Sequence, residues 1–111
     1  IINQRTGLIL AERATLADTF FTRLKGLLGQ KALPPGQGLI ISPCNWVHSW
    51  GMCFAIDVIY LSKNKEILHT LTLQPNKLTT PISKSHYVLE LPSGTIEATH
   101  SKEGDQLVIE G

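Results

Sequence analysis

The sequence predicts a mainly β, α+β fold: a small antiparallel β-barrel or rolled sheet capped by one main helix. Three observations point there. Short apolar runs recur along the chain with Gly, Pro and Asn turn signals between them. One segment alone carries apolar residues at helical spacing. The length, 111 residues, suits one domain spanning 1–111 with one real core.

The elements follow in order. Thr6-Gly7 breaks a short opening strand, and Leu8-Ile9-Leu10-Ala11 resumes as a strand. Leu16 to Leu28 reads as the main helix, because Leu16, Phe20, Leu24, Leu27 and Leu28 share one face. Thr15 or Asp18 caps its start, Gly29 sits where a C-terminal glycine belongs, and Gly26 allows close backbone approach. Pro34 to Gly38 is a loop and Leu39-Ile40-Ile41 a short buried strand. Cys44 to Met52 reads as an ordered loop entering a strand. Phe54 to Leu61 is apolar on both alternating faces, as in a central strand. Lys63-Asn64-Lys65 is a hairpin turn, and Glu66 to Leu73 returns as a strand. Gln74 to Ser83, polar and containing Pro75 and Pro81, is the expected mobile loop. His86 to Leu91 is a strand ended by Pro92-Ser93-Gly94, Thr95 to Ser101 makes one or two helical turns, and Gly104-Asp105 turns into a last strand, Gln106 to Ile109.

Composition narrows the function classes. Lys+Arg number 10 against Asp+Glu 9, and the basic residues are dispersed, so the electrostatic basis for binding nucleic acid is missing. No apolar stretch reaches the ~18–20 residues of a membrane span. Two cysteines make no disulfide framework, which points to a soluble protein of the reducing cytoplasm; the alternative is a trimmed leader and an oxidising compartment, where Cys44 and Cys53 could pair.

Chemistry-bearing residues concentrate in one stretch, Pro43 to Cys53. It holds both cysteines, both tryptophans, the only methionine and one of four histidines. The order of motifs around it resembles a known family. Leu24-Lys25-Gly26-Leu27-Leu28-Gly29, Gly38-Leu39-Ile40-Ile41, Pro43-Cys44 with Val47-His48, and Gly51-Met52 are followed by Ile56 to Leu61, Val88 to Gly94 and Gly104-Asp105. Together they resemble the domain of unknown function 192 family, also called uncharacterised protein family 0127. The resemblance runs from about Thr6 to Val108 and implies a compact β-rich domain found in bacteria and archaea, with a bacterial source expected here. It implies no settled activity. Cys53 departs from the pattern by standing where the family often has a basic residue.

Four constellations carry candidate chemistry. Cys44, His48, Met52 and Cys53 offer thiolate, imidazole and thioether, a donor set for Cu(I) or, with His69, His86, His100 or water as a further ligand, Zn²⁺. Their spacing matches no standard zinc motif, and the alternative is that both cysteines and Met52 are packing residues. Cys44 with His48 offers a nucleophile–base pair, set against a histidine bonded to loop backbone. Asp57 and Glu90 each interrupt an apolar strand, where a carboxylate must be paired or hydrogen-bonded. On neighbouring strands they would converge with His48 on one acid–base pocket; alternatively each accepts backbone N–H groups and fixes a loop. Trp46 and Trp50 offer a stacking platform for a sugar ring or a base, or else core area.

The sequence contains no phosphate loop, nucleophile elbow or standard metal motif, and no cofactor is expected. The leading expectation is a binding or accessory module for a small molecule or protein partner, with a pocket formed by His48, Trp50, Met52, Asp57 and Glu90. A hydrolase-like enzyme using Asp57 or Glu90 with His48 comes second, and a soft-metal protein third.

Overall fold

A computed structural model describes residues 1–17 and 33–109. Among the described residues the strands are β1 (Ile2–Asn3), β2 (Arg13–Ala17), β3 (Gln37–Ile41), β4 (Ile56–Leu61), β5 (Ile67–Leu73), β6 (Tyr87–Pro92) and β7 (Leu107–Val108), with one short helix, α1 (Thr95–Ala98). The fold is mainly β with an α element, as the sequence predicts.

Five strands form one sheet in the order β2-β3-β6-β4-β5, and β1 pairs with β7 in a separate two-stranded ribbon. All pairs are antiparallel except β2 with β3, which runs parallel. The expected barrel is corrected. Among the described residues the sheet is open, with β2 at one end and β5 at the other. The physical reason lies in β4, whose six residues are all buried. A barrel strand alternates between interior and solvent, whereas this sheet is covered on both faces. Val58, Tyr60, Val88 and Ile41 pack with Val47, Met52 and Phe54 on one face. Ile59, Leu61, Leu89, Leu91 and Ile40 pack with Leu10, Ala11 and Leu107 on the other. Gly38 makes the second packing possible: a Cβ there would stand 2.9 Å from Leu91 Cδ2 and 3.3 Å from Ala11 Cβ.

Other elements differ at their edges. The strand expected over Leu8 to Ala11 reduces to one bridge, Ile9 to Ile2, because Leu10 and Ala11 turn inward to the core instead of continuing a ladder. Thr15 and Leu16, expected at a helix start, lie in β2 in register with Leu39 and Ile40. Sheet pairing overrides the helical pattern there; the remainder of the expected helix, with Gly26 and Gly29, lies outside the described residues. The hairpin at Lys63-Asn64-Lys65 joins β4 to β5 as expected, closed by the Lys65 N–H donating to the Ser62 carbonyl.

The two ends of the chain are tied together by a buried polar knot. Asp105 accepts hydrogen bonds from Arg5 Nε (2.7 Å), Asn3 Nδ2 (3.0 Å) and the Lys102 backbone N–H (3.0 Å). Asn3 Nδ2 also donates to Ser101, and its Oδ1 accepts the Arg5 backbone N–H. The Arg5 guanidinium holds the Asp105 carboxyl well below the usual carboxylate range, against the upward push of burial.

Candidate functional site

Residues 45–50 and 76–82 lie alongside each other as an irregular antiparallel ribbon. The Ser49 N–H donates to the Lys77 carbonyl, and the Thr79 N–H to the Val47 carbonyl. Further N–H groups of Asn76 and Ile82 donate to the carbonyls of Ser49 and Asn45. These bonds make His48 and Leu78 directly opposed partners. The segment expected to be the mobile loop is therefore the second rail of this ribbon. Its side chains add further ties. Ser49 Oγ donates to the Gln74 carbonyl at 2.6 Å, Thr79 Oγ1 accepts the Val47 N–H at 2.9 Å, and Asn76 Oδ1 accepts the Gly51 N–H at 3.1 Å.

Extended backbone sends alternate side chains to opposite faces. Val47, Ser49 and Thr79 turn inward and are buried. Trp46, His48, Trp50 and Leu78 share the other face. Trp46 is 44% exposed, Trp50 50% and Leu78 58%. His48 stays buried on this outer face because the rings enclose it: its imidazole stacks on Trp50 at 4.4 Å with the planes 27° apart, and the Trp46 ring lies 6.0 Å away. His48 Nδ1 accepts the Trp50 backbone N–H at 3.2 Å. A neutral ring accepting at Nδ1 carries its proton on Nε2.

The expected pocket does not assemble as one constellation. β4 and β6 are neighbours, but the register pairs Asp57 with Leu91 and Val58 with Glu90. Cross-strand partners point to one face, so Asp57 and Glu90 point to opposite faces of the sheet. Glu90 is buried on the Val58–Tyr60 side, and Asp57 on the Ile59–Leu61 side with α1. Convergence on one acid–base pocket is thereby corrected: adjacency of strands was the right premise, and the one-residue offset decides the face.

Asp57 carries out the backbone-fixing role. Its Oδ1 accepts from Thr72 Oγ1 at 2.8 Å, while Oδ2 accepts the N–H groups of Gly94 (3.1 Å) and Ile96 (2.8 Å). Gly94, at the N-cap of α1 with φ of 95°, has no side chain to cap the helix, and Asp57 supplies the cap from β4. A depression of about 370 Å³ lies beside it, lined by Thr70, Thr72, Ser93 and Glu97. Both oxygens of the carboxylate are already engaged by the fold.

Met52 is buried in the core beside Val47 and Phe54, and Cys44 packs against the same cluster. Cys44 Sγ donates to the Trp46 carbonyl at 3.0 Å, and Cys53 is exposed. His69, one expected further metal donor, pairs with Glu103 at 3.2 Å across the surface. Among the described residues no three His, Cys, Asp or Glu side chains group closely enough to hold a metal ion. Sequence reasoning missed Ser49, Asn76 and Thr79 as ribbon ties, and Asn3, Arg5 and Asp105 as a knot. The alternation Trp46-Val47-His48-Ser49-Trp50 was the available signal for the former.

Known proteins resemble this chain in sequence and in fold. The model of the DUF192 family, "Uncharacterized ACR", matches residues 1–109. A UPF0127 protein of Pyrococcus furiosus is 32% identical, with 96% of this chain and 95% of that protein covered. One from Thermococcus sibiricus is 29% identical over 96% of this chain and 72% of its own. These relatives are archaeal, which corrects the expectation of a bacterial source. Among solved structures, a protein of unknown function from Novosphingobium aromaticivorans superposes with a TM-score of 0.71 at 22% identity, covering 84% of this chain and 71% of that one. A putative transcription regulator from Sinorhizobium meliloti gives 0.69 at 21%, covering 84% and 78%. At these identities the two structures share the fold alone. No helix among the described residues is long and apolar enough to cross a membrane. The chain belongs to the DUF192 (UPF0127) family, and the names of its matched members indicate no specific function.

Proposed function

We propose that this chain is a single-domain, non-enzymatic binding module whose contact surface is the outer face of the ribbon: Trp46, His48, Trp50 and Leu78. The observation that carries the reading is the stack of His48 on Trp50, which fixes a half-exposed indole in place. Rigid aromatic side chains on a surface bind at low entropic cost, because little rotamer freedom remains to be lost. The adjoining Leu78 extends the apolar area, and such grouped exposure marks interaction sites more often than scattered residues do. The ligand is one with a flat apolar face.

Met52, Asp57 and Glu90 belong to this reading as supports. Met52 packs beneath the ribbon, and the two carboxylates lie within the sheet. The hydrolase alternative loses support from the opposite facing of Asp57 and Glu90, and the soft-metal alternative from the burial of Met52 in the core. A cytoplasmic address is part of the same reading, because two cysteines in the chain make no disulfide framework.

A fragment screen read by the indole N–H resonances of the ¹⁵N-labelled chain tests the reading. Planar and ring-shaped fragments should shift the Trp46 and Trp50 signals ahead of all others. Hits that cluster elsewhere, or the absence of hits at both indoles, would overturn it.

A further inference from the structure

Resting on that reading, we infer that the ligand is a neutral glycan chain. The Trp46 ring lies 6.0 Å from the His48 ring and the Trp50 ring 4.4 Å from it, so the two indole centres stand at most about 10 Å apart on one face. Two indoles flanking one imidazole within that span suit a linear ligand lying across both. The C–H face of a pyranose is flat and apolar and matches a fixed indole. The hydroxyls at the rim of such a ring require short polar partners.

The ribbon supplies such partners without charge. Pro43 to Ile56 contains no charged residue, and Gln74 to Ser83 contains only Lys77. Asn76 and Thr80, alternate residues on the rail that carries Leu78, are exposed. Asn76 uses its Oδ1 on the Gly51 N–H, leaving its amide N–H₂ as the donor. A nucleic acid strand needs several cations to meet its phosphates, and a cationic ligand needs carboxylates. Among the described residues the two rails offer neither set, with Lys77 their one charged side chain. Neutral hydroxyls are the polar chemistry it can satisfy.

An array of neutral and acidic glycans, followed by titration of the hits against the full chain, tests the inference. Tryptophan fluorescence and calorimetry are the readouts. The expected result is binding to neutral linear glycans, tighter for longer chains, weakened at least tenfold in Trp46→Ala and in Trp50→Ala. Trp50→Phe, which keeps a ring against His48, should retain part of the affinity, and thermal unfolding of each variant confirms that it is folded. Binding confined to acidic glycans, or to none, would overturn the inference, as would affinity indifferent to both tryptophans. Vesicles of phosphatidylcholine with phosphatidylglycerol serve as the competing surface. Indole shifts with vesicles and not with glycans would overturn the glycan and leave the binding surface standing. Indoles silent to glycans, vesicles and fragments alike would remove both.

Discussion

Asp57 and the Trp46–Trp50 ribbon hold the most conspicuous residues of this chain, and the fold treats them in opposite ways. The Asp57 carboxylate is buried and accepts three hydrogen bonds, two of them from the backbone at the start of α1. The indoles are half-exposed and are held by a backbone ribbon and a stacked imidazole. A buried charge that is fully engaged serves the structure, because releasing it for chemistry would strand its donors. An exposed apolar ring that is held rigid gains the fold little and is available to a ligand. The contrast separates a residue that looks catalytic from a surface that is positioned to bind.

Breaking the Asp57 side should have the largest effect on stability. Asp57→Asn replaces one carboxylate oxygen by an N–H₂ group among N–H and O–H donors, and is expected to cost about 3 kcal/mol in urea unfolding, with ligand binding intact in the folded fraction. Gly38→Ala, which drives a methyl group against Leu91 and Ala11, should cost about 2 kcal/mol. The same melts check it.

The knot at Asp105 sets the acid response. Its folded-state carboxyl titrates below the unfolded value near 3.9, so its contribution is fully present above about pH 4 and is lost as pH falls further. Unfolding free energy measured from pH 6 to pH 2.5 should therefore drop steeply below about pH 4. Asp105→Asn should flatten that drop; an unchanged slope would assign the acid sensitivity elsewhere. Smallest is the structural effect of the ribbon's outer face: Trp46→Ala and Trp50→Ala should each shift unfolding by less than about 1 kcal/mol. A larger loss would make the indoles core residues and erase the contrast.

Much of this was legible in the sequence, element by element. The run Phe54 to Leu61 announces a strand covered on both sides, and β4 is buried at every position. Asp57 and Glu90 announce themselves as carboxylates that must be satisfied. Which face each takes is set by the pairing register of β4 with β6, a long-range relation that no local pattern encodes. The apolar spacing beginning at Leu16 reads as helix, yet Leu16 belongs to a strand because parallel pairing with β3 outweighs local preference. Pro75 and Pro81 read as a loose loop, but the intervening backbone finds its partners on residues 45–49. Asp105 reads as a turn residue, and its partners Asn3 and Arg5 come from the other end of the chain.

The most direct test sets the glycan-binding isotherm of Trp50→Ala beside that of Asp57→Asn, both on folded protein with the same neutral glycan. The account predicts at least a tenfold loss for Trp50→Ala and wild-type affinity for Asp57→Asn. Wild-type affinity in Trp50→Ala with loss in folded Asp57→Asn would contradict it and return the site to the carboxylate.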